Sequence, residues 1–323
     1  MTETVVVTSL GSVSGDIVIK GLHKEGMRVV GCSIYPAEWV ADSLEVDAYY
    51  KVPLTADAEG FLATMADICK REQASYIFPL IDLDVDLFNA NRAWAEDLGV
   101  TVCFSTKHAL DIIRNKKDLA DFIAAEVPEV VSIPTLMLKD VDTLPWEFPV
   151  VCKLINGRSS QGLRYIHSQA EWDAFRGEAN LDAYIVEPFI EGPTIVVEII
   201  RQPQTGSMVA IPREELISTP HGCGLTVRTY RDPKLEESCK VLAERLGIVG
   251  NVNYEFLRDP QGVYHFVECN PRFSAGTKFI CIAGYNTIRN HLRCFTGQEI
   301  EPCEHIRDLI IARKYEEYVM CEC

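Results

Sequence analysis

The sequence has no apolar run near the length of about twenty residues that a membrane-spanning helix needs. Its first residues also lack the basic segment and long apolar core of a secretory signal, so we expect a cytoplasmic protein. Basic residues are few, because 31 Lys and Arg stand against 47 Asp and Glu and give a formal net charge of −16. Nucleic acids and anionic membranes attract clustered Lys and Arg, so we expect neither as a partner.

Short motifs for soft metals and for dinucleotides are missing as well. None of the twelve cysteines forms a CxxC pair, and Cys321 and Cys323 have no His or Cys at zinc spacing, so we expect reduced thiols. The loop LGSVSG after the first predicted strand has GxxxG where a dinucleotide site has GxGxxG, and no acid ends the second strand. A nicotinamide cofactor is therefore not expected.

The composition is globular, with 47% hydrophobic and 24% charged residues, and 323 residues suit two or three packed units. The first third alternates strand and helix patterns, which predicts a parallel, doubly wound sheet. The predicted strands cover 3–10, 27–35, 74–80 and 100–106, with helices over 14–26, 59–72 and 84–99. The remainder predicts antiparallel sheet with helices: helical stretches at 107–126 and 233–247, strand–loop–strand at 148–168, two strands around a turn at 182–202, and a hairpin at 251–270.

The hairpin over 251–270 has an unusual set of polar residues in an apolar strand. Its DPQG turn predicts that Glu255 lies opposite Phe266, which leaves Glu268 diagonally across from Glu255. Because side chains alternate along a strand, both Glu and Asn270 share one face. Two converging carboxylates must share a proton or bind a cation, and an all-oxygen set suits Mg²⁺. The alternative is that the two Glu face solvent on an exposed sheet.

A second set of residues is suited to phosphate. Lys153 ends an apolar strand and precedes the loop NGRSSQG, whose small residues allow backbone N–H groups to close over phosphates. An ordinary Gly/Ser hairpin loop is the alternative, because the Walker A pattern is absent. Lys116 and Lys117 are either a solvated basic spot or a second phosphate contact. Arg213 and Arg228 flank STPHGCG, which is either a mobile lid or a simple loop.

The order of these features resembles the ATP-grasp superfamily, and most of all the small single-unit relatives of the carbamoyl phosphate synthase large subunit. A Lys at the start of a helix comes first, then a Lys before a Gly/Ser loop, the hinge VEPFIEGPT, and a Glu thirteen residues before that of ECNPRFSAG. The resemblance covers nearly the whole chain and implies a mixed α/β and α+β fold. A Rossmann-like pre-ATP-grasp domain over 1–110 would precede a two-subdomain ATP-grasp fold, with a small lid over 111–186 and a large subdomain carrying the Mg-binding hairpin over 187–323.

The resemblance implies a role for each motif. ATP would bind with its phosphates on two Lys and the Gly/Ser loop and its adenine on the hinge, while two Mg²⁺ ions, which Mn²⁺ could replace, would bind to the hairpin. The implied ATP-binding residues are Lys117, Lys153, Gly157, Ser159, Ser160, Gly162, Glu187, Phe189, Ile190 and Thr194; the metal ligands are Glu255, Glu268 and Asn270; and the catalytic residues that face the transferred phosphate are Arg228 and Arg272.

Three positions depart from the family pattern. Thr194 stands where many members have an acid that contacts the ribose, so Glu191 or Glu198 would have to compensate. Ala275 replaces a Gly, which would narrow the acceptor pocket. Cys269 replaces the usual apolar residue within the metal motif and is interpreted as a packing residue.

The implied reaction joins a small-molecule carboxylate, such as an amino acid, to an amine through an acyl phosphate, at the expense of ATP. Two alternatives remain: a phosphotransferase that releases a stable phosphorylated product, and a non-catalytic nucleotide-binding regulatory protein, which only Thr194 favours. A homodimer is the expected assembly because it is the commonest one.

Overall fold

The computed structural model describes residues 2–158, 160–220 and 222–322. These residues form a five-stranded, a four-stranded and a seven-stranded sheet. Ser159, which the sequence places in the phosphate loop, lies outside the described residues.

The N-terminal unit is a parallel sheet in the order β3-β2-β1-β4-β5, with helices between its strands. Val5, Val6 and Val7 are fully buried, as expected for a strand covered on both faces. The predicted doubly wound unit is confirmed, although β3 was not predicted and the single predicted helix over 84–99 divides at Asn91. The elements are β1 (Thr4–Val7), α1 (Gly15–Lys24), β2 (Arg28–Ser33), β3 (Ala48–Lys51), α2 (Ala58–Glu72), β4 (Ala74–Phe78), α3 (Asp82–Ala90), α4 (Arg92–Leu98) and β5 (Thr101–Val102).

The helical stretch predicted over 107–126 is two helices, α5 (Lys107–Ile113) and α6 (Lys116–Glu126). Asn115 separates them because its side chain accepts hydrogen bonds from the N–H groups of Lys117 and Asp118 and so caps α6. The short strand β6 (Val131–Ser132) follows. Apolar residues of both helices share a core with the seven-stranded sheet.

The four-stranded sheet has the order β7-β10-β8-β9 and is antiparallel. Its core contains Val150, Cys152 and Val186 from the central strands, packed against Trp172 of the helix between β9 and β10. The elements are β7 (Leu136–Met137), β8 (Val150–Leu154), β9 (Arg164–Ile166), α7 (Gln169–Glu178) and β10 (Tyr184–Pro188).

The seven-stranded sheet has the order β16-β13-β12-β11-β14-β15-β6 and is antiparallel except where β6 joins β15. One face packs against α5, α6 and α8, and the other against the C-terminal helices. Its elements are β11 (Thr194–Gln202), β12 (Ser207–Ser218), β13 (Gly224–Thr229), α8 (Pro233–Leu246), β14 (Gly250–Arg258), β15 (Tyr264–Asn270), α9 (Thr277–Ala283), α10 (Thr287–Thr296) and β16 (Leu309–Ala312).

The two strands predicted around a turn at 182–202 belong to different sheets, since β10 ends the small sheet and β11 enters the large one. The connection from β10 to β11 requires a glycine at position 192. The φ of Gly192 is +155°, and a Cβ at this position would lie 2.0 Å from the carbonyl oxygen of Arg258. The segment between the strands is therefore a hinge held against the end of β14.

The packing of α5 and α6 bears on the domain boundaries. Both helices and β6 associate with the large sheet, so we propose that the small subdomain runs from 136 to 188 rather than from 111 to 186. Within the described ranges, every helix is too short or too polar to span a membrane.

Candidate functional site

The β14–β15 hairpin brings Glu255 and Glu268 to directly opposed positions. The pairing shifts between Glu255 and Phe256 because Val267 is an extra residue in β15 and forms a β-bulge. The predicted register is therefore wrong: Phe266 lies opposite Phe256, and Glu268 is not diagonal to Glu255. Cβ atoms at opposed positions are about 5 Å apart and diagonal ones about 7–8 Å, so the bulge brings the two carboxylates closer together.

Asn270 links these carboxylates to Arg272. Its Nδ2 donates to Glu255 Oε1 at 3.0 Å and to Glu268 Oε1 at 3.5 Å, while its Oδ1 accepts from Arg272 at 3.1 Å. Burial raises the pKa of Glu255, and the charge of Glu268 raises this pKa further. A cation would relieve both effects. If the side-chain amide of Asn270 rotates so that Oδ1 faces the two carboxylates, Glu255, Glu268 and Asn270 offer only oxygen ligands. These residues therefore fit Mg²⁺.

A cavity of about 510 Å³ lies between the four-stranded sheet and this hairpin. The small sheet contributes Val151, Lys153 and Glu187, and the hairpin contributes Glu255 and Glu268. The loop after β8, the hinge after β10 and the turn after β12 complete the wall. The volume falls within the range of about 300–1,000 Å³ that small-molecule sites have.

Lys153 is held in this cavity by an ion pair to Glu187, with Nζ 2.6 Å from Oε2. The other carboxylate oxygen of Glu187 accepts a hydrogen bond from Thr135 at 3.0 Å. Burial has the largest single effect and alone would lower the pKa of Lys153, but the charge and the hydrogen bond of Glu187, together with the charge of Glu268, outweigh burial and raise this pKa. The side chain of Glu187 therefore holds Lys153 in its charged form. Only the backbone of Glu187 is left to form hydrogen bonds with an adenine.

Lys116, and not the proposed Lys117, reaches the cavity. Lys116 Nζ donates to the carbonyl oxygen of Gly157 at 2.8 Å and lies 3.5 Å from Glu268 Oε2. Lys117 lies one residue further along α6 and pairs with Asp121 on the same helix. The backbone N–H of Lys116 donates to the carbonyl oxygen of Ile155 at 3.1 Å, which holds the start of α6 against the loop after β8.

The other predicted ATP-binding residues lie along the loop and hinge. Gly157 and Ser160 line the cavity from the loop, and Phe189, Ile190 and Thr194 line it from the hinge. Gly162 lies behind this surface: its φ is +70°, and a Cβ there would lie 2.8 Å from the side chain of Leu154. The ring of Phe189 packs edge-on against Tyr165, with centroids 5.9 Å apart. The loop and hinge therefore offer mainly backbone groups and apolar surface.

Glu198, named from the sequence as a substitute ribose contact, lies in a buried network instead. Its carboxylate accepts from Arg213 at 3.1 Å and from Ser274 at 2.8 Å, and its side chain is 1% exposed. Arg213 also pairs with Glu215 at 3.0 Å. Ser274 belongs to the turn after β15, so this network holds that turn and is closed to a nucleotide. Glu191 is exposed and does not line the cavity.

The two proposed catalytic arginines lie in different places. Arg228 forms a two-point ion pair with Asp308, at 2.9 and 2.6 Å, is half exposed and does not line the cavity. Arg272 faces a smaller, second cavity, and its guanidinium lies 3.4 Å from Asp82 of the N-terminal unit. The structure therefore brings Arg272, but not Arg228, next to the carboxylate pair.

Comparison with known proteins agrees with this architecture. A family model described as "ATP-grasp in the biosynthetic pathway with Ter operon" matches residues 180–317, and one described as "PylC-like, N-terminal domain" matches residues 6–103. The predicted resemblance to the ATP-grasp superfamily is confirmed, as is the predicted fold: an α/β N-terminal domain followed by an ATP-grasp unit.

Solved structures share the fold at low identity. The biotin carboxylase domain of 2-oxoglutarate carboxylase from Hydrogenobacter thermophilus, in complex with MgADP, ADP and bicarbonate, has a TM-score of 0.79 and 18% identity over 95% of this chain and 73% of its own. The L-amino acid ligase from Bacillus licheniformis has a TM-score of 0.70 and 16% identity over 91% of this chain and 74% of its own.

Among curated proteins, the pyruvate carboxylase of Aspergillus niger is 24% identical over 184 residues. The match takes in 52% of this chain but only 15% of that protein. The chain thus spans a small part of this relative, and the similarity lies in a shared unit.

Proposed function

We propose that this protein is an ATP-dependent ligase that joins a small carboxylate to an amine. One observation carries the proposal: the Glu255–Glu268 pair lines the same cavity as Lys153 and Lys116, and Lys116 lies 3.5 Å from Glu268. Fixed positive charge in the same cavity as a carboxylate pair suited to Mg²⁺ forms a site for a metal-bound nucleoside triphosphate.

The cavity surfaces suggest how ATP binds. The adenine would lie against the hinge, where backbone groups near Phe189 and Ile190 meet its edge, and the phosphates would extend toward Lys153 and Lys116. Gly157 and Ser160 would close over the phosphates. The comparisons support this use of the cavity, because the Hydrogenobacter domain of the same fold was solved with MgADP.

Glu255, Glu268 and Asn270 would hold Mg²⁺, with Mn²⁺ as a substitute and two ions as the proposed number. The metal supplies charge neutralisation on the transferred phosphate. Arg272 adds a fixed positive charge next to Asn270. Lys116 replaces Lys117 in this proposal. Arg228 would take part only if its pair with Asp308 opens.

The reaction makes a poor electrophile reactive. A carboxylate oxygen attacks the γ-phosphorus of ATP, the bond from that phosphorus to the β,γ-bridging oxygen breaks, and ADP leaves with the electron pair. The amine nitrogen then attacks the acyl carbon, the bond to the phosphate oxygen breaks, and the nitrogen loses a proton. The products are an amide, ADP and phosphate, and the ion-paired lysines stabilise charge throughout.

The test is release of ADP and phosphate from Mg·ATP in the presence of pooled amino acids, other small carboxylates and amines. Glu268→Gln should abolish turnover, while Glu237→Gln, on the exposed face of α8, should leave turnover unchanged. Mass spectrometry of the product separates the amide of a ligase from the stable phosphorylated product of a phosphotransferase. Absence of both ADP formation and ATP binding would leave a non-catalytic protein and reject the proposal.

A further inference from the structure

The loop after β8, which we propose closes over the phosphates, is attached to segments outside its own sheet. The carbonyl oxygen of Ile155 accepts from the N–H of Lys116 at 3.1 Å, and that of Gly157 accepts from Lys116 Nζ at 2.8 Å. The guanidinium of Arg158 pairs with the carboxylate of Asp86 on α3. The loop is therefore held both by α6 and by the N-terminal unit.

Asp86 is itself held by a second cation. Its Oδ2 pairs with Arg158, while its Oδ1 lies 2.8 Å from Nε of Arg114. Arg114 also approaches Asp82, one turn earlier on α3, with Nη1 3.9 Å from Oδ1. Asp84, which lies between these two acids in the sequence, accepts instead from two hydroxyl groups that follow β1. Asp86 is therefore the carboxylate of α3 that meets the loop.

Contacts within the loop connect Arg158 to the ATP cavity. Of the described loop residues, Gly157, Ser160 and Gln161 line this cavity, whereas Arg158 does not. The carbonyl oxygen of Arg158 accepts from the N–H of Gln161 at 2.8 Å. A displacement of Arg158 would therefore move cavity-lining residues that precede and follow it in the chain, although the guanidinium lies outside the cavity.

The exposure of the pair limits the size of its effect. The side chains of Arg158 and Asp86 are 31% and 30% exposed, and an ion pair of this kind biases an equilibrium by about fivefold at most. Such a bias is too small to decide the fold. It is sufficient to change how often a short loop is in place, because local opening needs far less free energy than unfolding.

We propose that Asp86 is a positioning residue, which holds Arg158 and thereby keeps the loop after β8 in the place that the phosphates of ATP require. The inference rests on the proposed function for the identity of the ligand. It gives the N-terminal unit a part in nucleotide binding, although Asp86 does not line the ATP cavity.

Hydrogen exchange of the full-length protein without nucleotide tests whether Asp86 holds the loop. Asp86→Asn should raise the exchange rates of the Gly157, Gln161 and Leu163 amides, which donate hydrogen bonds within the loop, by about threefold to fivefold after correction for intrinsic rates. Arg158→Leu should have the same effect, and the double variant should exchange no faster, because both substitutions remove one pair. Asp67→Asn, at an exposed position of α2, should exchange like the native protein.

Calorimetric titration with Mg²⁺ and a non-hydrolysable ATP analogue tests whether this position matters for the nucleotide. Asp86→Asn and Arg158→Leu should each weaken binding by about threefold to fivefold. Arg158→Lys keeps the positive charge and should recover part of the affinity, which a purely structural role would not predict. Arg164→Leu, at an exposed position of β9 outside the ATP cavity, should bind the analogue as the native protein does.

The proposal is overturned if both single variants exchange like the native protein in the loop, or if both bind the analogue with native affinity. If Asp86→Asn does not fold, Arg158→Leu and Arg158→Lys decide both tests. If the native protein binds no analogue, the proposed nucleotide function fails, and exchange in the loop alone decides whether Asp86 positions it.

Discussion

The ammonium group of Lys116 lies 3.5 Å from the carboxylate of Glu268, so the first residue of α6 meets the candidate metal site on β15. The same ammonium donates to the carbonyl oxygen of Gly157 in the loop after β8. Lys116 thereby connects α6, the β14–β15 hairpin and the loop after β8, which we propose closes over the phosphates. Its sequence neighbour Lys117 makes none of these contacts and pairs with Asp121 instead.

This contrast gives the first prediction, on two adjacent lysines of the same charge. Lys116→Met should weaken ATP binding about tenfold, because a cation near the phosphates is lost. Lys117→Met should leave ATP binding unchanged and cost about 0.3–0.5 kcal/mol of stability, the usual value of an exposed helix pair. Calorimetric titration with a non-hydrolysable ATP analogue measures both. Equal weakening by the two substitutions would contradict the assignment of Lys116.

The second prediction separates the role of Lys153 in binding from its role in stability. Lys153→Met should abolish most ATP binding and should also destabilise the protein, because Glu187 would remain as a buried, uncompensated charge. The double variant Lys153→Met/Glu187→Gln should regain stability without regaining ATP binding. Urea unfolding and ATP titration of the single and double variants measure the two effects separately.

Glu187→Gln alone completes this cycle. It keeps the lysine but removes the carboxylate that fixes its position and raises its pKa. We expect weaker ATP binding than in the native protein but stronger binding than in Lys153→Met. A Glu187→Gln protein with native affinity would show that Glu187 does not position Lys153 for ATP.

The sequence was sufficient for the order of the units and for the carboxylate pair. Glu268 and Asn270 share one face because side chains alternate along a strand, and the bulge at Val267 brings Glu255 of β14 opposite Glu268 on that face. The register was not accessible, since the bulge at Val267 has no Gly or other local signal and depends on packing between the strands. The family resemblance placed Lys117 at the site, whereas the contacts that bring Lys116 there, with Gly157 and Glu268, come from segments distant in the chain.

Long-range contacts account for the remaining differences. The segment 182–202 was predicted as two strands around a turn, but β10 and β11 join different sheets because their pairing partners are distant in the chain. The second cavity was not predicted for the same reason: Arg158 and Asp82 meet only when the N-terminal unit packs against the loop after β8. The buried partners of Arg213 likewise come from three separate segments.

The third prediction concerns Arg213, which is 2% exposed and pairs with both Glu198 and Glu215. Arg213→Met should destabilise the protein by about 3–5 kcal/mol, because two buried carboxylates would lose their cation. Arg228→Met removes the same side chain from an exposed pair with Asp308 and should cost far less. Urea unfolding compares the two. A small loss in Arg213→Met would mean that the network is not needed for stability.

The fourth prediction concerns the pH dependence of stability and rests on His291. This residue is buried on α10, where its Nδ1 accepts from the N–H of Asn251 at 2.8 Å and its Nε2 lies 3.2 Å from the carbonyl oxygen of Cys103. Burial lowers the pKa of His291 to about 3, with the hydrogen bond to Cys103 opposing the change only weakly. The neutral ring is therefore the form that the fold accepts.

Because the folded-state pKa of His291 lies below the unfolded value of about 6.5, the unfolded chain binds the proton more tightly between these two values. Stability from this residue is complete above pH 6.5 and is lost by about 1.4 kcal/mol per unit as pH falls toward 3. His291→Asn keeps an acceptor for Asn251 but cannot take up that proton. The free energy of unfolding of His291→Asn should be lower than that of the native protein at pH 7.5. From pH 7.5 to pH 5 it should fall by roughly 2 kcal/mol less than that of the native protein. His108→Asn, at an exposed position of α5, should keep the native slope, and an unchanged slope in His291→Asn would reject the prediction.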